Sequence, residues 1–284
     1  MKFDYCQPSS ITEVLKILSG GGEGIKILAG GTDLLVNLQE GLLFPRLLVD
    51  IGSLKELQIM EEKDSRVSLG ALVTHARAAE SDLLRKKVLP LAQSCAEIGS
   101  PQIRCRGTIG GNLVNASPAA DSLPPLFVLG AGLNLKSLKG ERTVPIEEFF
   151  TGVKKSVIRP DELLTEISFP SPGETGRGFF KKLGQRKALA IAKVSVAAWI
   201  DLEGERVSSA RIALGAVATT VIRARRTEAY LKGKVLDQEV IAAASWMVQE
   251  ESKAISDIRS TADYRDEMAG VLLSRGLNEI AGQT

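Results

Sequence analysis

The sequence has 284 residues, a formal net charge of +2 and a single histidine, His75. At roughly 100 to 200 residues per domain this length predicts two domains, and no apolar run reaches the roughly 20 residues of a membrane span. The near-balanced charge argues against a nucleic-acid surface. One histidine and three cysteines without CxxC spacing give no basis for a catalytic triad, a zinc site or an iron–sulfur site. Any redox chemistry must therefore come from a bound cofactor.

Two local charge patterns bear on location and partners. The first ten residues, MKFDYCQPSS, contain polar and acidic side chains where a secretory signal needs an apolar run, so we expect a cytoplasmic protein. The basic cluster of Arg223, Arg225 and Arg226 predicts the solvated start of a helix rather than a site for nucleic acid.

The first fifty residues show strands alternating with helices. Ser10 has the spacing of a capping box, so the amphipathic run after it predicts a helix that ends at Gly20-Gly21-Gly22. Apolar runs at 25–28 and 47–51 predict buried strands, and 34–40 is a second amphipathic segment. This opening is therefore predicted to be of the α/β type.

The middle of the chain continues with a predicted strand at 66–73 and two helix starts. Thr74 and Ser81 are the predicted N-caps. The helix after Ser81 is predicted to carry apolar residues as far as Ile98, with Pro90 kinking or dividing it.

The last third of the chain has a different order of elements. A predicted strand at 162–169 leads to the Pro- and Gly-rich stretch 170–178, which predicts a domain boundary. Beyond it a meander of strands is followed by helices, an α+β arrangement. The predicted strands are 178–183, 194–201 and 208–217, and the predicted helices are 226–231, 238–250 and 262–281.

Two glycine-rich segments, ILAGGTD at 27–33 and TIGGN at 108–112, place paired glycines beside a threonine and an Asx residue. Because glycine has no Cβ, consecutive N–H groups of such a turn point into one concavity that accepts a phosphate. Two such turns predict a clamp on a pyrophosphate, although each pair alone is also typical of a tight turn. The absence of GxGxxG and GxxxxGK[ST] argues against Rossmann and Walker-type nucleotide binding.

These motifs resemble a known family. ILAGGTDLL and RGTIGGNLVNASPAADSLPPL are similar to the two cofactor signatures of the FAD-binding medium subunit of molybdenum hydroxylases, which include carbon monoxide dehydrogenase and xanthine dehydrogenase. The similarity extends to LGALVTH, IGSPQIR, KKLGQRKALAIAKVSVAA and DIRSTADYR. Cys105 stands where the family often has Asn, and the cysteine-rich insertion of the hydroxybenzoyl-CoA reductase type is absent.

The resemblance implies an α+β fold in two domains. A PCMH-type FAD-binding domain would span 1–174, with subdomains at about 1–57 and 58–174. A C-terminal domain of antiparallel sheet plus helices would span 175–284.

The resemblance also implies the residues that contact FAD. From the first segment these are Ile27, Leu28, Ala29, Gly30, Gly31, Thr32, Asp33 and Leu34, and from the second they are Thr108, Gly110, Gly111 and Asn112. Asp121 would accept hydrogen bonds from ribose or adenine-side hydroxyls, and Lys182 would lie near the isoalloxazine end, where its charge stabilises the reduced flavin. Ile98, Ile103 and Leu164 would pack near the flavin and adenine.

Each of these roles has a simpler alternative. Asp121 has the position of a local cap, Lys182 that of a surface charge, and the three apolar residues those of the core. His75 is predicted to cap or pack rather than to act as a base. We expect neither a catalytic side chain nor a metal ligand on this chain.

The implied complex contains two partners. A large subunit would hold the molybdenum cofactor, and a small subunit with two 2Fe–2S clusters would pass electrons to the FAD and on to an acceptor such as NAD or a quinone. A dimer of heterotrimers is the expected assembly. The alternatives are a stand-alone flavoenzyme, resembling the cell-wall precursor reductases or alcohol oxidases, and a binding or assembly protein without a cofactor.

Overall fold

The computed structural model describes residues 3–21, 24–186 and 188–282. It begins with a three-stranded parallel sheet in the order β1-β3-β2. Its strands are β1 (Asp4–Cys6), β2 (Ile25–Leu28) and β3 (Leu47–Asp50), and its helices are α1 (Ile11–Ser19) and α2 (Leu34–Gln39). The parallel strands joined by helices confirm the α/β opening predicted from the sequence.

Helix α1 shows why its sequence folds locally. The Ser10 side chain accepts a hydrogen bond from the Glu13 amide, which satisfies one of the free N–H groups of the first turn. The helix ends with Gly20 as its C-cap, and Gly22 lies outside the described residues. Its inward side chains pack with Val49, Ile51 and Leu54 beneath the small sheet. This packing fixes the end of β2, where the first glycine segment begins.

A five-stranded antiparallel sheet forms the second layer, in the order β4-β5-β10-β6-β7. Its strands are β4 (Met60–Lys63), β5 (Arg66–Gly70), β6 (Gly132–Ser137), β7 (Gly140–Pro145) and β10 (Leu163–Pro170), and a hairpin of β8 (Phe150–Gly152) and β9 (Lys155–Ser156) lies beside it. The helices on this layer are α3 (His75–Glu80), α4 (Asp82–Lys87), α5 (Leu89–Ala96), α6 (Pro101–Arg106), α7 (Ile109–Asn115), α8 (Leu123–Val128) and α9 (Ile146–Phe149).

The caps predicted for α3 and α4 are confirmed, and the helix predicted after Ser81 is divided into two helices, one of the two effects predicted for Pro90. Thr74 and Ser81 accept hydrogen bonds from Arg77 and Leu84 amides, respectively. The break falls at Val88, whose φ of −141° is not helical, and Pro90 lies in the first turn of α5. Proline is tolerated there because the first-turn amides have no intrahelical acceptor.

The C-terminal part is a meander followed by helices, as predicted, and these helices pack on one face of the sheet. The sheet order is β11-β12-β13-β14, and all three pairings are antiparallel. The strands are β11 (Gly176–Leu183), β12 (Val194–Glu203), β13 (Arg206–Gly215) and β14 (Ile222–Arg223), and the helices are α10 (Arg225–Leu231), α11 (Gln238–Glu251) and α12 (Ala262–Ala281). The α+β class is therefore confirmed.

Both faces of the meander are buried. Phe180, Ala197 and Trp199 pack into the core of the preceding layer, whereas Phe179 and Val196 pack against the C-terminal helices. This alternation follows the two-residue period of a strand. The sheet thereby joins the two parts of the chain along a continuous apolar contact.

The prediction of a solvated arginine cluster is wrong for Arg223. Its side chain is 8% exposed and pairs with Glu228 and with Glu147 of the preceding layer. Arg225 and Arg226, in the first turn of α10, are largely exposed as predicted. Arg223 differs because it ends the short strand β14 at the junction of the two layers.

Among the described residues, no helix combines the length and the apolar character needed to cross a lipid bilayer.

Candidate functional site

The first glycine segment forms a loop between β2 and α2. Gly31 has a φ of +77°, a conformation that side chains other than glycine rarely adopt. Within the described structure, the five successive backbone N–H groups of 30–34 donate no hydrogen bond. A run of free amides beside a cavity is available to donate hydrogen bonds to an anion. The positive φ at Gly31 and the unpaired amides agree with the predicted role of this loop, and the phosphate contact itself stays a prediction.

The second glycine segment differs from its prediction, because it forms the first turn of α7 rather than a turn with free amides. The N–H groups of Gly110, Gly111 and Asn112 donate to Ala71 O (3.0 Å), Thr108 Oγ1 (3.0 Å) and Thr108 O (2.9 Å). A Cβ on Gly110 would lie 2.6 Å from both the Cβ and the carbonyl oxygen of Ala71. The prediction that the backbone amides of both glycine pairs are free is therefore wrong for this pair. Gly110 instead allows α7 to pack closely against Ala71.

The two segments touch each other. A Cβ on Gly30 would lie 2.1 Å from the carbonyl oxygen of Arg106, so only glycine fits where the first loop passes the residues that precede α7. A cavity of about 280 Å³ lies between the first loop and α7. His75, Ile98 and Ile103 complete its wall.

A second cavity of about 460 Å³ adjoins the first. Asp121, Lys154, Arg259 and residues 189–191 line it. Four residues, Asp33, Ile98, Asn112 and Asn115, line both cavities. The cavities therefore share one wall and form a groove that ends against the C-terminal part of the chain.

Asp121 and Lys182 form a buried ion pair at the end of this groove. Lys182 Nζ donates to Asp121 Oδ2 (2.5 Å) and to Glu97 O (3.1 Å), and both charged side chains are less than a tenth exposed. Burial raises the pKa of Asp121 to about 6, and the charge of Lys182 limits the rise. Asp121 Oδ1 is buried without a hydrogen-bond partner, so it is free to accept one from a ligand.

This pairing corrects one pair of expectations. Asp121 was assigned to the adenine side of FAD and Lys182 to the isoalloxazine end. Two groups in direct contact do not serve opposite ends of an extended dinucleotide, so at least one of the two assignments is wrong. The sequence carries no sign of the contact, because 61 positions separate the residues.

The structure brings most of the predicted contact residues to the groove. Ala29, Gly30, Gly31, Thr32, Asp33, Leu34, Ile98, Ile103, Thr108, Gly111 and Asn112 line the first cavity, and Asp121 lines the second. The remaining predicted residues do not line either cavity: Ile27 and Leu28 belong to β2, Gly110 packs on Ala71, Leu164 is buried in the core, and Lys182 lies behind Asp121.

His75 is buried beside the second segment. Its backbone N–H donates to Gly107 O (3.0 Å), and its side chain is in the wall of the first cavity. Burial, with the nearby charge of Arg104, lowers the pKa of His75 to about 4, so the ring is neutral at physiological pH. The sequence prediction that this residue packs agrees with its 2% exposure.

Sequence reasoning did not identify Asn115 or Lys154 as part of the groove. Asn115 Nδ2 donates to Asp33 Oδ1 (2.8 Å), and Lys154 Nζ donates to Asn115 Oδ1 (2.7 Å). The contacts join three segments that are distant along the chain, so no local pattern marks them. Asn115 does lie within the second cofactor signature at 106–126, which was the one available signal.

The groove suits a dinucleotide better than it suits a metal. In the part of the chain that the structure describes, no three His, Cys, Asp or Glu side chains are grouped as metal ligands. The free amides of 30–34 are suited to donate hydrogen bonds to a diphosphate. The unpartnered Asp121 Oδ1 is suited to accept a hydrogen bond from a donor farther along the same bound molecule. The fold and site thus define a protein that binds a diphosphate-linked cofactor without Rossmann or Walker motifs.

Comparison with known families identifies that class. The family described as the FAD binding domain in molybdopterin dehydrogenase matches residues 1–172, and the CO dehydrogenase flavoprotein C-terminal domain matches residues 179–280. The chain therefore belongs to the FAD-binding subunits of the molybdenum hydroxylase family, as its motifs predict. It carries an FAD-binding domain and is an oxidoreductase subunit.

Relatives of this chain match along almost its whole length. It is 34% identical to the carbon monoxide dehydrogenase medium chain of Afipia carboxidovorans, covering 97% of this chain and 95% of that one. It is 32% identical to the caffeine dehydrogenase subunit beta of a Pseudomonas species, covering 98% and 95%. The relatives thus share both domains.

Solved structures agree. A reconstituted CO dehydrogenase from Oligotropha carboxidovorans superposes with a TM-score of 0.95 at 32% identity, covering 100% of this chain and 99% of that one. Quinoline 2-oxidoreductase from Pseudomonas putida 86 superposes with a TM-score of 0.93 at 31% identity, covering 100% and 98%.

Proposed function

We propose that this chain holds FAD in the groove and passes electrons from 2Fe–2S clusters of a small partner subunit to an acceptor such as NAD or a quinone. A large subunit with the molybdenum cofactor completes the complex, which is a dimer of heterotrimers in the cytoplasm. The medium-chain and subunit names of the relatives support a multi-subunit assembly. FAD, when bound, supplies reversible electron and hydride transfer, so this chain needs no acid or base side chain of its own.

The observation that carries the proposal is the run of five free amides at 30–34 beside the first cavity. These amides bind the diphosphate, because successive N–H dipoles aimed into one concavity favour a negative charge. Thr108, Gly111 and Asn112 form the opposite wall. In this arrangement α7 gives the groove its shape and the first loop donates most of the hydrogen bonds.

At the far end of the groove, the pair of Asp121 and Lys182 orients the cofactor. The open Oδ1 of Asp121 accepts a hydrogen bond from it, while Lys182 holds the carboxylate in place from the C-terminal domain. The buried cation of Lys182 also favours a negative charge nearby. Both side chains therefore act through position and charge.

We also propose the domain division 1–174 and 175–284, with the first domain split near residue 57. Each predicted unit has its own sheet: three strands within 4–50, five within 60–170, and four within 176–223.

The test is purification of the full chain followed by FAD titration. Yellow protein that retains about one FAD per chain supports the proposal, and a colourless chain that does not bind added FAD contradicts it. Purification of the native complex, with metal analysis and a comparison of NAD and quinone as acceptors, then tests the partners. A purified chain that turns over a small molecule by itself would instead support the stand-alone flavoenzyme.

A further inference from the structure

A chain of hydrogen bonds crosses the groove at the wall that the two cavities share. Asn115 donates to Asp33 Oδ1 (2.8 Å), and Lys154 donates to Asn115 Oδ1 (2.7 Å). Asp33 directly precedes α2, Asn115 is the last residue of α7, and Lys154 lies in the turn of the β8–β9 hairpin. The bonds therefore link three elements at the groove wall.

The hairpin is held in register with the end of α7. The backbone N–H of Lys154 donates to Ala116 O (3.0 Å), directly after Asn115. This second contact positions the ammonium group of Lys154 for the carbonyl oxygen of the Asn115 side chain. The amide of Asn115 is thus oriented from one side, so that its Nδ2 faces the Asp33 carboxylate.

A dinucleotide bound to the amides of 30–34 in the first cavity, with its other end near Asp121 in the second, has to cross this shared wall. Asp33 and Asn115 are two of the four residues of the wall, and they are bonded to each other across it. The bond is exposed and single, so it opens at low cost. A bond at this position would help to enclose a cofactor that fills both cavities, and the cofactor would leave when the bond opens.

We propose that Asp33, Asn115 and Lys154 form a clasp that closes the groove around bound FAD and slows its release. The three residues act as positioning residues and take no part in electron transfer. The inference rests on the proposed function, because it requires that FAD occupies both cavities.

The experiment measures the rate of FAD dissociation from the full chain, as the rise of free-flavin fluorescence after dilution. Asn115→Ala and Asp33→Ala are each expected to speed release by about three- to tenfold, the usual weight of one exposed hydrogen bond. Asp33→Asn keeps an acceptor oxygen and is expected to restore most of the slow rate. Lys154→Ala is expected to speed release less, and the neighbouring Lys155→Ala, on the same hairpin, is the matched control.

The double variant Asn115→Ala with Asp33→Ala tests whether the two residues slow FAD release through their shared hydrogen bond or through independent effects. If the bond acts as one unit, the double variant releases FAD no faster than the faster single variant. Additive effects, or single variants that release FAD at the wild-type rate, overturn the clasp while leaving FAD binding intact. A wild-type chain that retains no FAD overturns both the clasp and the proposed function.

Discussion

The two glycine segments are similar in sequence but have different structural roles. The first leaves five N–H groups free, whereas the second uses the amides of Gly110, Gly111 and Asn112 within the protein. Paired glycines therefore do not by themselves indicate a phosphate site. One pair gives the backbone an unusual conformation, and the other gives it room against Ala71. Substitution of Gly31 should therefore weaken FAD binding, and substitution of Gly110 should destabilise the fold.

The largest effect is expected for Gly110→Val. The new side chain would overlap the backbone of Ala71, where a Cβ already comes within 2.6 Å of the carbonyl oxygen. We expect the free energy of unfolding to fall by about 3 kcal/mol, the upper end of the usual cost of overpacking, measured by denaturant titration. Gly111→Ala is the milder comparison, because its Cβ would lie 2.8 Å from the Thr108 side-chain hydroxyl and would meet no backbone atom of another segment. Equal stability of the two variants would contradict the assignment of Gly110 to packing.

Next in size is the acid sensitivity that His75 gives to the same region. Its folded pKa of about 4 lies below the usual 6.5, so the unfolded chain binds the proton first as the pH falls. The contribution of His75 to stability is therefore complete above pH 6.5 and is lost towards pH 4, by about 2 to 3 kcal/mol. His75→Gln should lose less stability than wild type over this interval, measured by urea unfolding at a series of pH values.

The control for this comparison is internal. Asp121 titrates in the opposite sense, since its raised pKa of about 6 makes the folded state bind the proton first. Its contribution is the same in wild type and in His75→Gln, and it cancels in their difference. Parallel pH profiles for the two proteins would exclude a buried neutral imidazole.

Gly31→Ala tests the first segment. In the variant the empty loop relaxes away from the φ of +77°, and the cofactor has to restore that conformation on binding. We expect the Kd for FAD to rise about tenfold, measured by flavin fluorescence. Gly41→Ala is matched in backbone conformation, with a φ of +69°, but lies outside the groove. Similar losses of FAD affinity in both variants would show that the effect is not local.

The smallest effect is expected for Thr108→Ala, which removes the cap on the Gly111 amide (3.0 Å). Loss of an N-cap lowers stability by about 1 kcal/mol, measured by thermal or denaturant unfolding. Thr108→Ser keeps the hydroxyl and should remain close to wild type. A stability loss equal to that of Gly110→Val would mean that the cap, rather than the packing, holds this segment.

The sequence was most informative where structure is decided locally. Capping by Ser10, Thr74 and Ser81 depends on the residue three positions later, and all three caps are present. The family could also be recognised from the sequence, because long contiguous motifs identify it.

The sequence was least informative about which polar groups remain free. Gly110 donates to Ala71 across 39 positions, and Asn115 reaches Asp33 across 82. Such contacts arise only when the layers assemble, so no spacing rule reveals them.

The ion pair of Lys182 and Asp121 has a consequence for exchanging modules between related chains. Its cation comes from β11, in the C-terminal part, and its anion comes from the loop before α8. A chimera that brings a foreign C-terminal module without a lysine at this point would leave a carboxylate buried with no counterion. Chimeras within this family should therefore fold stably only when the carboxylate at 121 and the lysine at 182 are both kept.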